Sequence, residues 1–229
     1  MYCYRPVDTI VLISGGLDSA VLLAHEARDA RVHPVYVRVG LAWEGAELVM
    51  LRRLLNAPVF ARAAPLEVLT FNMRDVYPPS HWAIRGTPPA YDTPDEDVYL
   101  AGRNLVLLTK AAVMAGTRKI GSIALGPLAG NPFPDATPEF FESMSRALSL
   151  GLDQSLQIRT PFVSLHKADV IRLGEALQVP LDLTLSCMNP NDSPLPQHCG
   201  QCSKCRERRD AFAAAGVTDG ASYAQPSPR

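Results

Sequence analysis

The sequence predicts an α/β fold in which a doubly wound parallel sheet is followed by a small zinc-bound segment near the C-terminus. Three features of the chain lead to this prediction. Short apolar runs rich in β-branched residues alternate with helix-forming stretches, as in consecutive βαβ units. The first run leads directly into a glycine loop and another helix-forming stretch. Four cysteines then cluster between residues 187 and 205, with spacings typical of metal ligands.

The alternation of apolar runs gives the expected order of strands and helices. Buried parallel strands are continuous apolar runs, whereas amphipathic helices repeat their apolar residues every three or four positions. Strands are predicted over residues 9–13, 32–39, 59–64, 67–71, 119–126 and 157–162. Helices are predicted over residues 20–27, 45–55, 105–116, 138–150 and 164–177. The apolar face of the second helix is predicted to contain Ala46, Val49, Met50 and Leu54.

Residues 72–100 interrupt this alternation. They contain two Pro-Pro pairs, the acidic run Asp95-Glu96-Asp97 and scattered aromatic residues. An irregular stretch of this length within a compact domain is usually functional or mobile. We therefore predict a lid or an excursion on the substrate side of the sheet, with a plain surface loop as the alternative.

The loop after the first strand has the sequence Ser14-Gly15-Gly16-Leu17-Asp18-Ser19. It joins a strand to a helix at the sheet edge where open α/β folds bind ligands. The glycines let the backbone approach an anion, and Ser14, Ser19 and the first-turn N–H groups can donate to phosphate oxygens. The loop lacks the spacing and the lysine of the common P-loop, and a glycine turn without a ligand is the alternative. Asp18 would repel a phosphate unless a cation intervened, so Mg²⁺ held through Asp18 is expected.

Two further residues and one loop are candidate ligand contacts at the same edge. Arg103 follows a glycine just before a predicted helix, where a guanidinium can meet a phosphate or carboxylate bidentately. Lys167 lies near the start of the last predicted helix and is a candidate phosphate contact. The loop after Gly126 contains Phe133 and Asp135, and it too is expected to lie against a ligand. For Arg103 and Lys167 the alternative is a solvated surface residue.

The clustered cysteines form the pattern C-x11-C-x2-C-x2-C and are Cys187, Cys199, Cys202 and Cys205. Four thiolates without a spare ligand predict a closed, structural Zn²⁺ site that staples the C-terminal segment to the domain. An iron–sulfur cluster takes similar ligands and is the alternative. Cys3 is isolated and is expected to be a bystander, and His198 is expected at the surface.

Basic residues surround the cysteines, and they are Lys204, Arg206, Arg208 and Arg209. Their positive charge can offset the charge of the thiolates. Alternatively, one or more of them can reach an anionic substrate. Solvated side chains without a role are the third interpretation.

The composition bounds the organisation and location of the protein. The chain has 229 residues, of which 47% are hydrophobic, and a formal net charge of −1. We expect an α/β domain at residues 1–180, a metal-binding segment at 181–216 and a frayed tail at 217–229. The balanced charge argues against direct nucleic-acid binding. With no apolar run of membrane-spanning length and no signal pattern, we expect a cytoplasmic protein without a membrane partner.

Several motifs, taken in order, resemble those of the 7-cyano-7-deazaguanine synthase family, which makes a precursor of queuosine and archaeosine. They are the loop SGGLDS, the segments AGRNLVLL and LHKADVIRL, and the C-terminal HCGQCSKC. This family belongs to the ATP pyrophosphatases with a pyrophosphate loop. The resemblance therefore implies an adenine-nucleotide alpha-hydrolase-like fold of the Rossmann type.

The resemblance also implies an ATP-dependent carbon–nitrogen ligase. Such an enzyme adenylates the carboxylate of 7-carboxy-7-deazaguanine, uses ammonia to form the amide, and adenylates the amide to release the nitrile. The implied ATP contacts are Ser14, Gly15, Gly16, Leu17, Asp18 and Ser19. The implied catalytic residues are Asp18, Arg103 and Lys167, with Mg²⁺ accompanying ATP and Zn²⁺ on the four cysteines. The sequence leaves the assembly open, and a homodimer is one candidate.

The chain departs from the family pattern at three places. The second strand runs into Leu41-Ala42-Trp43 instead of a Gln-Arg-His type segment, and Ala101 replaces a proline before Gly-Arg-Asn. In a later, substrate-side loop, Ala129 or a neighbour occupies the position of an aspartate, and Ala136-Thr137 replace Cys-Arg. Phe133-Pro134-Asp135 matches the Tyr-Pro-Asp of the family. The altered loop favours, as an alternative, a divergent relative that adenylates a deazaguanine-like or other carboxylate and stops at, or transfers to, an amide.

Two further function classes are alternatives. A tRNA-modifying relative that delivers sulfur would need a basic surface and a reactive cysteine. The net charge of −1 and the commitment of four cysteines to a metal disfavour that class. A non-enzymatic nucleotide binder would bind ATP without releasing pyrophosphate.

Overall fold

The computed structural model describes residues 8–191 and 193–228. Five strands within these residues form one parallel sheet. The strands are β1 (Asp8–Leu12), β2 (Arg31–Arg38), β3 (Glu67–Thr70), β4 (Ser122–Ala124) and β5 (Gln157–Arg159). They lie in the order β3-β2-β1-β4-β5, and every neighbouring pair is parallel. The predicted doubly wound parallel fold is confirmed.

Helices cover both faces of this sheet. They are α1 (Leu17–Glu26), α2 (Glu44–Leu54), α3 (Trp82–Arg85), α4 (Arg103–Arg118), α5 (Pro138–Leu152), α6 (Lys167–Ala176) and α7 (Ser203–Ala215). Along β1, Ile10 belongs to the core cluster beneath α4 and α5, and Val11 belongs to the cluster beneath α1 and α6. Both residues are fully buried, as expected for a parallel strand covered on two faces. Within residues 8–191 and 193–228, no helix is both long enough and apolar enough to cross a membrane.

The strand order places a crevice at the carboxyl end of β1. β2 pairs with one side of β1 and β4 pairs with the other, so the chain winds outward from β1 in both directions. Open α/β sheets bind ligands at such a switch point, because the loops after the two strands diverge there. The order therefore brings the loops that begin at residues 13 and 125 to one edge of the sheet.

The predicted strand over residues 59–64 is wrong. A 3₁₀ helix, Pro58–Phe60, and a following turn occupy this stretch, so Glu67–Thr70 is the third strand. Pro58 suits the first position of a helical turn because it has no backbone N–H to leave unpaired. The other predicted strands and helices are present, with ends shifted by three residues or fewer.

Residues 72–100 are packed against the domain and are not a plain surface loop. They contain α3 and a 3₁₀ turn, Asp95–Val98. Met73, Tyr77 and Val98 are buried in the core cluster beneath α4. The Tyr77 hydroxyl also donates to the carbonyl of Ala101 (2.8 Å). The segment is therefore anchored at several points, and its closure over a ligand stays a prediction.

Residues 217–228 lie against the cysteine segment, which differs from the frayed tail expected from their composition. Tyr223 pairs with His198 in a parallel bridge, and its hydroxyl donates to Asp219 (2.7 Å). The guanidinium of Arg209 lies over the Tyr223 ring, 4.1 Å from its centre. One aromatic side chain thus anchors a segment that is otherwise rich in small residues. The division of the chain at residues 180 and 216 stays a prediction, and Cys3 lies outside the described residues.

Candidate active site and metal centre

The loop after β1 has the geometry of an anion-binding turn. Gly15 has a left-handed backbone (φ +79°), and a Cβ at this position would lie 3.3 Å from the carbonyl oxygen of Glu47. The Gly16 N–H donates to Ser14 Oγ (3.2 Å), and the Ser19 hydroxyl donates to the Gly16 carbonyl (3.0 Å). Ser19 therefore holds the shape of the loop. Among the described residues no side chain caps the first turn of α1, so its N–H groups can receive an anion.

A chain of ion pairs begins at Asp18, in the first turn of α1. Lys167 Nζ lies 3.3 Å from the Asp18 carboxylate and also hydrogen-bonds to Glu207. Lys204 Nζ lies 2.6 Å from the other oxygen of Glu207 and 3.7 Å from Asp95. Burial acts to lower the pKa of Lys167, but the carboxylates of Asp18 and Glu207 outweigh it and the pKa is raised. Helices α6 and α7 thus present two charged lysines beside the loop.

Arg103 begins α4 and lines the same cavity as the loop. Asp135 accepts a hydrogen bond from the Asn104 N–H (3.0 Å), and the Asn104 side chain donates to the Asp135 carbonyl (2.9 Å). Asp135 therefore fixes the start of α4. The Nε atom of Arg103 is buried and has no acceptor among the described residues, so the guanidinium retains a donor for a ligand.

Aromatic rings form two walls of the cavity, which has a volume of about 290 Å³. Trp43 and Trp82 stack nearly parallel, with ring centres 5.8 Å apart and an angle of 11°. Tyr99 and Phe133 stack with ring centres 5.2 Å apart. Such faces suit a planar heterocycle. Because Trp82 and Tyr99 belong to residues 72–100, that segment lies on the ligand side of the sheet.

Glu47 places a buried carboxyl group in the cavity. The Tyr36 hydroxyl donates to it (2.5 Å). Burial raises the pKa of Glu47 to about 7, although the guanidinium of Arg103 and the Tyr36 hydroxyl act to lower it. The predicted apolar face of α2 did not include this residue. It included Val49, which is exposed, whereas Glu44 and Glu47 are both buried.

The four clustered cysteines converge on one point. Their Sγ atoms all lie within 4.8 Å of one another, with separations that include 3.9 Å (Cys187–Cys202), 3.8 Å (Cys199–Cys205) and 3.5 Å (Cys202–Cys205). These distances are too long for a disulfide, whose S–S bond is about 2.0 Å. A tetrahedral ion with Zn–S bonds of about 2.3 Å would separate its sulfurs by about 3.8 Å. The cluster can therefore hold a metal ion such as zinc.

Backbone N–H groups surround these sulfurs. The N–H groups of Asn189 and Cys199 donate to Cys187 Sγ at 3.3 and 3.2 Å. The N–H of Gln201 donates to Cys199 Sγ at 3.3 Å. Such donors stabilise thiolates, which are the form that binds metal. The donor set therefore fits the closed structural site predicted from the spacing.

His198 is buried, so its predicted surface position is wrong. Its Nε2 accepts a hydrogen bond from the Ser186 N–H (3.1 Å), and its ring packs on Tyr223 at 5.1 Å. Burial and the charge of Arg208 lower the pKa of His198 to about 3. The neutral ring therefore ties the tail and the segment before Cys187 to the metal segment.

The basic residues near the cysteines have different environments. Arg208 is buried and pairs with Asp219 at 2.9 Å. Arg209 donates to a backbone carbonyl of the cysteine segment (2.9 Å), and Arg206 donates to the Thr93 carbonyl (3.1 Å). Lys204 alone of these four lines the cavity. Of the three interpretations offered by the sequence, only contact with an anionic ligand has a candidate, which is Lys204, and the three arginines instead bind carbonyl oxygens and Asp219.

Most of the predicted site residues meet in this cavity. Its lining includes Ser14, Gly16, Leu17, Asp18, Arg103, Phe133, Asp135 and Lys167. Gly15 and Ser19 shape the loop behind the lining, and the cysteines form a separate centre at the start of α7. The lining residues Trp43, Glu47, Trp82 and Tyr99 were not predicted from the sequence, whereas Lys204 was among the basic residues expected either near the thiolates or at an anionic substrate. The departure at Leu41-Ala42-Trp43 was the one signal that could have indicated Trp43.

Comparison with known proteins shows which family the chain resembles. The sequence model of the family described as Queuosine biosynthesis protein QueC matches residues 8–216. The 7-cyano-7-deazaguanine synthase of Methanopyrus kandleri is 33% identical, with 94% of this chain and 98% of the relative covered. The protein of the same name from Methanoculleus marisnigri is 32% identical, with 93% and 97% covered.

Among solved structures, a "predicted subunit of tRNA methyltransferase" from Methanocaldococcus jannaschii aligns with 74% of each chain. Its identity of 18% and TM-score of 0.46 make this likeness too loose to carry an argument. The match of the family model over residues 8–216 is decisive, because it spans the loop, the cavity and the cysteines. The chain belongs to the QueC family of queuosine biosynthesis proteins.

Proposed function

We propose that this chain is an ATP-dependent ligase that converts 7-carboxy-7-deazaguanine and ammonia into 7-cyano-7-deazaguanine. The observation that carries the proposal is a single cavity lined by a phosphate-type loop, three basic side chains and two aromatic walls. A nucleoside triphosphate and a planar carboxylate would use all of these surfaces. Relatives named 7-cyano-7-deazaguanine synthase match nearly the whole chain and support this choice of substrate.

The proposed reaction uses two adenylation steps. A carboxylate oxygen of the substrate attacks the α-phosphorus of ATP, the bond to pyrophosphate breaks, and an acyl-adenylate forms. Ammonia then attacks the acyl carbon, and AMP leaves with that oxygen to give the amide. The amide oxygen attacks a second ATP in the same way. Loss of AMP, with protons leaving the nitrogen, produces the nitrile.

Positive groups in the cavity complement the charge that this reaction develops at phosphorus. In our proposal the first-turn N–H groups of α1 and the Ser14 hydroxyl hold the departing pyrophosphate. Lys167, which Asp18 and Glu207 hold in place before the ligand arrives, stabilises the charge on the reacting phosphate together with Arg103. No protein nucleophile is needed.

Asp18 fits the role of a magnesium ligand. One of its carboxylate oxygens is buried and has no hydrogen-bond partner among the described residues. Carboxylate oxygen is the ligand type that Mg²⁺ prefers, usually together with phosphate oxygens. When bound, the ion would neutralise charge on the departing pyrophosphate.

We also propose that the cysteine centre binds Zn²⁺ and that its role is structural. The cluster offers four ligand atoms, which would fill the tetrahedral coordination of Zn²⁺ and leave no position for chemistry. The ion would hold the start of α7 against the segment that contains Cys187. Removal of the metal should therefore loosen α7, together with the residues that α7 contributes to the cavity.

A pyrophosphate-release assay tests the proposed activity. The chain is incubated with ATP, Mg²⁺ and 7-carboxy-7-deazaguanine, with and without ammonium, and the products are identified by mass spectrometry. We expect release that depends on the carboxylate and a nitrile that depends on ammonium. Lys167→Met should slow release about a hundredfold, since it removes a charge aimed at the reacting phosphate. The matched control is Lys110→Met, on α4 outside the cavity lining, which should retain full activity.

One observation favours a second candidate function. Asp135, the acid expected on the substrate side, accepts a hydrogen bond from the Asn104 N–H. The aspartate that the family has near position 129 is absent from this sequence. This supports a divergent relative that makes an amide from a similar carboxylate. In the same assay, release that ends at the amide would select this candidate, and no substrate-dependent release would reject both.

A further inference from the structure

Lys204 is a charged side chain in the cavity to which the proposed reaction assigns no role. It is the second residue of α7, between Cys202 and Cys205, and it shares the cavity lining with Ser14 and Lys167. We propose that Lys204 is a second phosphate-binding cation of the nucleotide site and that Glu207 positions it beside Lys167. This inference rests on the ATP-dependent function proposed above.

Glu207 joins the two lysines through one carboxylate. Lys204 Nζ donates to one oxygen of Glu207 (2.6 Å), and Lys167 donates to the other. About a quarter or less of each of these side chains is exposed: 26% for Lys204, 23% for Glu207 and 19% for Lys167. The two ammonium groups are thus fixed side by side before a ligand binds. Pre-organised cations lose less side-chain entropy on binding than free ones.

Lys204 keeps donors for a ligand. An ammonium group has three N–H donors, and among the described residues Lys204 makes one hydrogen bond, to Glu207. Its other acidic neighbour is Asp95, which lies 3.7 Å away and whose side chain is 43% exposed. That contact is longer than a hydrogen bond and is easily exchanged for a phosphate oxygen.

The charge of this cluster suits a phosphate chain that carries a divalent cation. Lys167, Lys204 and Glu207 together have a net charge of +1, and they lie at the positive end of α1. Asp18 and Asp95 flank the cluster with negative charge. Phosphate oxygens would therefore face the lysines, and the accompanying cation would face the aspartates.

The metal centre determines where Lys204 lies. The N–H groups of Cys205 and Arg206 both donate to the Cys202 carbonyl, so the first turn of α7 is built around a metal ligand. Arg206 also binds the Thr93 carbonyl, two residues before Asp95. The cysteine centre therefore has a second consequence, which is to hold a lysine at the nucleotide site.

Calorimetric binding of two nucleotides tests this role. The probes are α,β-methylene-ATP with Mg²⁺, which cannot release pyrophosphate, and AMP, which lacks the outer phosphates. Lys204→Met keeps the aliphatic stem but removes the charge. It should raise the Kd of the ATP analogue about tenfold, the usual effect of one charge-assisted hydrogen bond, and change the Kd of AMP less than about twofold. Lys204→Arg should bind the analogue like the wild type, as should the control Lys110→Met.

Glu207→Gln separates positioning from simple charge. Removal of a negative charge near phosphates would by itself tighten binding. If Glu207 positions Lys204, the variant instead weakens binding of the ATP analogue, with its metal content unchanged. Tighter binding would overturn the positioning role.

The wild-type and variant results test different claims. Failure of the wild type to bind the ATP analogue overturns the proposed function together with this inference. If the wild type binds and Lys204→Met binds equally well, this inference fails while the proposed function stands. Equal weakening of the analogue and AMP, or weakening accompanied by metal loss, also overturns it, because the lysine would then act through the fold.

Discussion

Replacement of Glu47 by glutamine should change how the stability of this protein depends on pH. Glu47 is buried, with 6% of its surface exposed, and it accepts the hydroxyl hydrogen of Tyr36. The amide oxygen of glutamine can accept the same hydrogen bond. The substitution therefore removes the titrating group while it preserves the shape and the contact.

The magnitude follows from the pKa of this carboxyl, which burial raises from 4.5 to about 7. Between these pH values the folded state keeps the proton and the unfolded state has already lost it. The stabilisation is fully present below about pH 4.5 and is lost as the pH rises through about 7. A shift of this size corresponds to about 3 kcal/mol of unfolding free energy.

Urea unfolding at a series of pH values from 4.5 to 8 measures this effect. The difference in unfolding free energy between Glu47→Gln and the wild type should change by about 3 kcal/mol over this range, in favour of the variant at high pH. Glu142→Gln, at an exposed position on α5, is the matched control and should show no such change. A constant difference between Glu47→Gln and the wild type at every pH would refute the reasoning.

Three other substitutions separate the roles of the loop and the metal centre. Asp18→Ala should abolish pyrophosphate release and leave the zinc content unchanged, since Asp18 lies at the cavity and not at the cysteines. Cys202→Ser should lower the zinc content and the Tm, because the centre loses one of its four ligands; equal loss of metal and activity in both variants would contradict this division. Gly15→Ala should cost about 1–2 kcal/mol in denaturant unfolding, because its left-handed backbone disfavours a Cβ. An unchanged midpoint would contradict the strained turn.

The sheet, the loop and the metal centre could be predicted because their signals are local. A continuous apolar run such as residues 9–13 has few alternatives to a buried strand when a glycine loop and a helix former follow it. The metal centre could be predicted without knowledge of the fold, because the spacing of its four cysteines alone brings two pairs of sulfurs close. Resemblance of the ordered motifs then indicated the family, and the comparisons confirm it.

The remaining features depend on contacts between distant parts of the chain. The stretch 59–64 has the apolar character of a strand, but Pro58 begins a 3₁₀ turn there and Glu67–Thr70 takes the place beside β2. Glu47 lies on the buried face of α2 because the loop, Tyr36 and Arg103 surround it. Helical periodicity alone would instead place an acidic residue on the solvent face. Lys204 reaches the cavity only because α7 packs beside α6.

The residues that line the cavity from 72–100 show the same limitation. Proline pairs and acidic residues predicted an irregular segment, and most of the segment is irregular in the structure. Its side chains Trp82 and Tyr99 find partners in Trp43 and Phe133, which lie far away in the sequence. Pairwise stacking across such distances leaves no periodic signal, so the ligand-side walls became visible only in the folded chain.

The most direct test of the central claim is the stoichiometry of the complete reaction. The wild-type chain is supplied with ATP, Mg²⁺, 7-carboxy-7-deazaguanine and ¹⁵N-labelled ammonium, and pyrophosphate and labelled product are counted together. We expect a nitrile that carries one ¹⁵N, formed with two pyrophosphates released for each nitrile. A labelled amide formed with one pyrophosphate, or a nitrile formed without ATP cleavage, would contradict it.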